Sequence, residues 1–263
     1  MSKEKRTIQL GDFEIGGRGF VMMAGPCSVE SREQFSKTAR FVKEQGARAL
    51  RGGLFKLRTD PSTFQGLGAN AYQLAKEVKT QVGLPFISEI TDPRQMGDFE
   101  DIVDAYQVGS RNMHNYALLK ELGQSSKPVV LKRGLAATFK EWILAAEHVV
   151  QSGNPNVILC ERGIRTFETS TRNTFDLNSV ALAKRETSFP VLADPSHGTG
   201  DAGLVEPMAL AAAAAGADGL LIEVHPEPAK ALSDGFQSLD FERFAHLMAS
   251  LKKLLPALDR ELL

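Results

Sequence analysis

Eight short apolar runs recur along this chain, at 20–24, 49–52, 85–89, 105–108, 128–131, 157–160, 190–194 and 219–223. Each ends in a loop with Gly or Pro and gives way to a stretch of helical period, near 32–45, 70–80, 93–99, 116–122, 139–152, 179–186, 205–215 and, after the last run, 240–258. Strand and helix alternating in this way build a parallel sheet, and right-handed crossovers curl that sheet until its edges meet. With eight units in 263 residues, close to the usual size of about 250, the expected fold is α/β, a (β/α)8 TIM barrel. An open doubly wound sheet is the competing arrangement. It is disfavoured because no G-x-G-x-x-G occupies the first strand-to-helix turn and no shift in composition marks a second domain.

Ahead of the barrel, 8–10 and 13–15 alternate around Gly11-Asp12, which predicts a small N-terminal β-hairpin. The expected organisation is a hairpin extension over 1–17 and the barrel over 18–263. A formal net charge of −1 removes any bulk attraction to nucleic acid or to an anionic membrane, so small molecules are the expected partners. There is no run of about 20 apolar residues, and the charged start Met1-Ser2-Lys3-Glu4-Lys5-Arg6 has no apolar segment behind it. A cytoplasmic location is expected. Cys27 and Cys160 lie far apart and form no C-x-x-C, which argues against a disulfide framework or a structural zinc site.

The seventh run opens into Asp194-Pro195-Ser196-His197-Gly198-Thr199-Gly200, which cannot continue a strand and is expected to form a loop. His197 therefore falls just past a strand's carboxyl end, where barrels gather their chemistry. Closure sets the eighth strand beside the first, so Glu223 at the end of the eighth and Cys27 after the first lie on the same arc as His197. Asp234, in the loop after the eighth run, reaches the same point. A thiol, an imidazole and two carboxylates mix soft and hard donors, which suits divalent Mn, Fe, Co or Zn better than Mg or Ca. Singly, each residue has a plainer reading, such as core packing for Cys27 or an internal hydrogen bond for Glu223. Their shared arc favours a joint metal site, with His225 ranked below His197 as a ligand or outer partner.

The rest of the mouth is basic. Arg51, Lys56, Arg58, Arg111, Lys132, Arg133, Arg162 and Arg165 all fall at strand ends or in the loops that follow them. One such cation means little, but so many in a nearly neutral chain indicate a site for more than one anionic group, with phosphate the best match to arginine's fork. His114 is as readily a helix-start residue as a contact, His148 and His246 read as surface or packing residues, and Cys160 and Trp142 read as packing.

Taken in order, Gly25-Pro26-Cys27-Ser28-Val29-Glu30-Ser31, Arg51-Gly52-Gly53, Lys56-Leu57-Arg58-Thr59, Phe64-Gln65-Gly66, Gly109-Ser110-Arg111-Asn112, Leu131-Lys132-Arg133-Gly134, Cys160-Glu161-Arg162-Gly163 and Asp194-Pro195-Ser196-His197 form a series. The series resembles the 3-deoxy-D-arabino-heptulosonate 7-phosphate synthases, in their short type I beta form, across roughly 20–258. The resemblance implies a metal-dependent condensation of phosphoenolpyruvate with erythrose 4-phosphate, the first step of the shikimate pathway and of aromatic amino acid biosynthesis. It implies Cys27, His197, Glu223 and Asp234 as metal ligands, and Arg111, Lys132 and Arg162 as holders of phosphoenolpyruvate, with Arg51 and Lys56 near its carboxylate. Arg58 and Thr59 match the positions that hold the phosphate of erythrose 4-phosphate. Ser110, Glu161 and Asp194, from the same motifs, complete the candidate substrate-binding set, and Lys56, Cys27 and His197 are the candidate catalytic residues.

Where the family usually reads Lys-Pro-Arg-Thr, this chain has Leu57 in place of the proline, which is expected to loosen the loop. The related 3-deoxy-manno-octulosonate 8-phosphate synthases, which use arabinose 5-phosphate, read Lys-Ala-Asn-Arg-Ser-Ser there, so the loop favours erythrose 4-phosphate. A non-catalytic phosphosugar-binding barrel is the remaining alternative; it would need the cations but no open metal site. The resemblance further implies a homotetramer, and the flanks of the barrel leave no expected room for a regulatory domain.

Overall fold

The computed structural model describes residues 5–58 and 60–263. A hairpin of β1 (Ile8–Leu10) and β2 (Phe13–Ile15) precedes β3 (Gly19–Gly25), β4 (Ala49–Arg51), β5 (Phe86–Ile90), β6 (Ala105–Val108), β7 (Val129–Lys132), β8 (Val157–Glu161), β9 (Val191–Ala193) and β10 (Gly219–Glu223). Strands β3 to β10 pair in parallel, each with the next, and β10 pairs back onto β3 with Glu223 opposite Gly25, which closes the barrel. A Cβ on Gly25 would stand 2.0 Å from the Arg51 carbonyl oxygen, so only glycine lets β3 and β4 approach this closely at the mouth.

Around the barrel run α1 (Arg32–Glu44), α2 (Tyr72–Val82), α3 (Met96–Phe99), α4 (Tyr116–Leu122), α5 (Phe139–Gln151), α6 (Leu177–Glu186), α7 (Pro195–Thr199), α8 (Ala202–Ala214) and α9 (Phe241–Leu254). Their starts are chemically marked. Ser31 caps α1 by accepting from the Gln34 N–H, and Thr138 with Glu141 forms a reciprocal capping box on α5. Between β9 and α8 the chain differs from the expected loop. Asp194 accepts from the His197 N–H and Pro195 occupies the first helical position, so residues 195–199 wind into the short helix α7. The stretch near 93–99 is a 3₁₀ turn, Pro93–Gln95, followed by the single turn of α3. At the other end of the chain, β11 (Glu261–Leu262) adds to β3 beside Gly19 and Phe20, a strand too short to carry a periodic signal.

Successive residues of a strand point to opposite faces, and here the two faces bury different cores. Phe20, Met22, Leu50 and Phe86 face outward into the helices, where Phe35, Trp142 and Phe244 are fully buried with them. Val21, Met23, Ala49, Ile87, Ala105, Val130, Ile158, Leu192 and Leu221 fill the barrel interior, and Ile8, Leu10, Phe13 and Ile15 of the hairpin join that cluster. Two residues further along this inward face the chemistry changes. Ala49 is followed by Arg51, Ile87 by Glu89, Ala105 by Gln107, Val130 by Lys132, Leu192 by Asp194 and Leu221 by Glu223. One face of these six strands thus begins as core and ends in polar side chains, all of them charged except Gln107. Among the described residues no helix is long and apolar enough to cross a membrane.

Candidate active site

This polar end opens into a cavity of about 350 Å³ lined on one part by Ser110, Arg111, Lys132 and Arg162, and on another by Lys56, Arg58, Arg172, His197 and Asp234. Arg111 and Arg162 follow β6 and β8, and Lys132 ends β7 between them, so their cationic heads share one side of the mouth.

At the seam between β3 and β10, ligand atoms of Cys27, Glu223 and Asp234 all lie within 4.8 Å of one another. Cys27 Sγ is 3.4 Å from Asp234 Oδ2, and His197 Nε2 is 3.4 Å from Glu223 Oε1. His197 Nδ1 lies 2.8 Å from Asp194 Oδ2, so a carboxylate backs the imidazole on the side away from Glu223. The three-residue cluster is what the geometry brings together most tightly, and His197 joins it through Glu223.

These acids are offset by cations from β4 and the loop that follows it. Arg51 donates to Glu223 Oε1 at 3.0 Å and to the Pro26 carbonyl at 2.6 Å. Lys56 Nζ sits 2.6 Å from Cys27 Sγ and 3.3 Å from Asp234 Oδ2, while Arg58 is 3.6 Å from Asp234 Oδ1. Burial pushes the Cys27 thiol up to about 12, with Glu223 adding to the shift. Burial likewise pushes His197 down to about 4 despite the two carboxylates beside it, which leaves a neutral imidazole near pH 7. Burial works against the charge on Glu223, yet His197, Arg51 and Lys56 hold it down at about 2. Asp234, against the same penalty, is held below the usual carboxylate range by Lys56 and its other neighbours. A buried thiol, an imidazole whose Nε2 faces Glu223 and two ionised carboxylates form a donor set that fits a divalent ion of intermediate softness.

Several predicted residues stand behind the cavity instead of in its wall. Arg51 is 4% exposed and committed to Glu223 and Pro26. Asp194, 1% exposed, holds Lys132 Nζ at 2.6 Å and caps α7. Glu161 is fully buried; Oε2 accepts from Arg133 at 3.0 Å and Oε1 from the Gly163 N–H at 2.7 Å. Arg133 was expected at the mouth beside Lys132. As the next residue along, it points out of the barrel, where it bonds Glu161, Asp176 and Ser179 and lies 5.9 Å from the Trp142 ring centroid. His225 turns from the cluster to Glu30, at 3.3 Å, and accepts from the Glu227 N–H. His114 is exposed against Tyr116, and Cys160 is buried in the barrel interior. Thr59 lies outside the described residues.

Sequence reasoning missed Glu89, Arg172, Asn173, Ser233 and Gln237. Glu89 had a signal, its place two residues beyond Ile87 on the inward face. Ser233, 3.3 Å from Cys27 Sγ and 2.7 Å from Arg58, had none, because only the tertiary fold brings these segments together.

Fold and site together define a (β/α)8 protein whose mouth combines a metal-type donor cluster with a rim of cations suited to phosphorylated ligands. The match to a family model is consistent with this, since residues 4–257 match the DAHP synthetase I family, and the chain belongs to that family. It is 48% identical over 255 residues to phospho-2-dehydro-3-deoxyheptonate aldolase of Thermotoga maritima, a match covering 97% of this chain and 75% of that one. A crystal structure of the Thermotoga maritima DAHP synthase superposes with a TM-score of 0.96 at 46% identity, covering 99% of this chain and 76% of that one. A more distant likeness, 30% identity over 93% of this chain and 96% of the other, is to 2-dehydro-3-deoxyphosphooctonate aldolase of Desulfatibacillum aliphaticivorans.

Proposed function

We propose that this chain condenses phosphoenolpyruvate with erythrose 4-phosphate to give 3-deoxy-D-arabino-heptulosonate 7-phosphate and inorganic phosphate, opening the shikimate pathway. The observation that carries the reading is a single cavity with cations at the ends of β6, β7 and β8, whose wall also carries His197 and Asp234, the latter clustered with Cys27 and Glu223 behind it.

In this reading Arg111, Lys132 and Arg162 hold phosphoenolpyruvate, and Ser110 completes its rim. Lys56 faces its carboxylate from the cavity, while Arg51 supports that side by fixing Glu223. Arg58, with Thr59 next in sequence, takes the sugar phosphate. Holding two anions that repel one another in reacting order is the main task of these residues, because orientation alone supplies several kcal/mol of the barrier, up to about 7–11. Cys27, His197, Glu223 and Asp234 would hold a divalent Mn, Fe, Co or Zn ion, which supplies Lewis-acid polarisation of an aldehyde oxygen when bound. As C3 of phosphoenolpyruvate bonds to the aldehyde carbon, the aldehyde oxygen takes up a proton to become a hydroxyl; C2 becomes electron-poor, water adds there and gives up a proton, and the C2–O bond to phosphate breaks to release phosphate and leave a ketone at C2. Lys56 is kept charged by the ionised Glu223 and Asp234 against the cost of burial, so its ammonium is available to the oxygen that gains charge. Glu161 and Asp194 act by fixing Arg133 and Lys132.

A homotetramer in the cytoplasm, with residues 1–17 as an extension of the barrel, accompanies this proposal and rests on the family's habit and the hairpin's packing. The test is phosphate release from phosphoenolpyruvate, with and without a chelator. Release that needs both metal and erythrose 4-phosphate supports the proposal. Release with arabinose 5-phosphate instead would assign the eight-carbon synthesis, and release with neither would leave a binding barrel.

A further inference from the structure

We infer that Gln237 is the positioning residue of the metal site, aiming Glu223 through one end of its amide while the other end is anchored by Arg172. The inference rests on the proposed role of Glu223 as a metal ligand. Gln237 is fully buried. Its Nε2 donates to Glu223 Oε2 at 2.7 Å, and its Oε1 accepts from Arg172 Nη1 at 2.6 Å. Glu223 Oε1 is taken by Arg51 and faces His197, so Gln237 governs the other oxygen and with it the carboxylate's rotation.

Two features show that this contact is built into the fold. The amide can satisfy both partners in one orientation only, since a guanidinium only donates and a carboxylate only accepts. The backbone sets the register: Leu239 N–H donates to the Glu223 carbonyl and His225 N–H to the Leu239 carbonyl, both at 2.9 Å, which zips the segment after Gln237 onto the end of β10. Gln237 also closes the turn that Asp234 begins, through its N–H to the Asp234 carbonyl at 3.2 Å. Arg172 reaches Asp234 Oδ1 at 3.7 Å. One amide therefore relates both carboxylates of the cluster to the loop after β8.

A glutamate at this position keeps the length and the bond to Arg172 but turns a carboxylate oxygen on Glu223. A leucine keeps the bulk and removes both bonds. Outer contacts of this kind change metal affinity by about 10- to 100-fold.

The experiment measures Co(II) affinity by competition with a chelating dye, reads thiolate coordination from the sulfur-to-cobalt absorption band, and follows melting of the metal-free proteins. In Gln237→Leu and Gln237→Glu, Co(II) affinity is expected to fall about 10- to 100-fold with the thiolate band retained. Arg172→Met should give a smaller loss, and adding it to Gln237→Leu should cost little more, because both act through one contact. Unchanged affinity in both Gln237 variants, with only a lowered melting point, overturns the inference and leaves Gln237 a packing residue. If Gln237→Leu fails to fold, Gln237→Glu alone decides. A wild-type protein without a thiolate band, or a Glu223→Gln variant with full affinity, would instead overturn the metal-site reading itself.

Discussion

Lys132 Nζ stands 2.6 Å from Asp194 Oδ2, with the two side chains only 4% and 1% exposed. The same carboxylate accepts the His197 N–H at 3.0 Å and lies 2.8 Å from His197 Nδ1. Asp194 thus ties a cation of the substrate rim to a proposed metal ligand. Asp194→Asn keeps a good cap for α7 but leaves a buried ammonium without its counter-charge. The expected outcome is a loss of about 3–5 kcal/mol in stability, measured by urea unfolding, together with weaker metal binding.

Metal binding should strengthen as pH rises. The Cys27 thiol is pushed up to about 12, so at neutral pH it carries a proton that an incoming ion must displace. His197, pushed down to about 4, is already neutral and adds no dependence above pH 6. Apparent Co(II) affinity between pH 6 and 8 is expected to climb by up to about tenfold per unit. Replacing Cys27 by Ala should flatten the dependence and abolish the thiolate absorption band.

Arg58 sits between Ser233 and Asp234 at the cavity wall, a placement that leaves its guanidinium facing the proposed sugar phosphate. Arg58→Met removes a charge-assisted contact of about 1.5–3 kcal/mol. Steady-state kinetics should show KM for erythrose 4-phosphate rising by about 10- to 100-fold, with KM for phosphoenolpyruvate little changed.

Arg133 supplies a contrast within a single dipeptide. Arg133→Met strips Glu161 of its cation and removes a partner of Asp176 in a buried network. It should cost about 3–5 kcal/mol in unfolding free energy. Lys132→Met, next to it but inside the barrel, also leaves a buried carboxylate, Asp194, without its cation, and it differs from Arg133→Met in weakening phosphoenolpyruvate binding as well.

The barrel and its hairpin could be read from the chain because strand and helix periods are local properties. The runs ending at Val108 and Glu223 match their strands, and Gly11-Asp12 does turn between β1 and β2. The arc of Cys27, His197 and Glu223 followed from closure alone, without any contact being known. Resolution failed where direction mattered. Lys132 and Arg133 look alike in a list of cations, and only the strand's alternation separates them. The five residues of α7 were too few for a helical period, and its stop signals, Pro and Gly, read as loop. Gln237 and Ser233 belong to the site through contacts spanning different loops, which no local pattern encodes.

The central claim is that one ion is shared by Cys27, His197, Glu223 and Asp234. Anomalous diffraction from crystals grown with Co(II), recorded at the cobalt edge, tests it directly. The account predicts a single strong peak at the β3–β10 seam, about 2.3 Å from Cys27 Sγ and about 2.0–2.2 Å from His197 Nε2 and a carboxylate oxygen each of Glu223 and Asp234. A peak elsewhere, or none at that seam with the cavity otherwise intact, would contradict it.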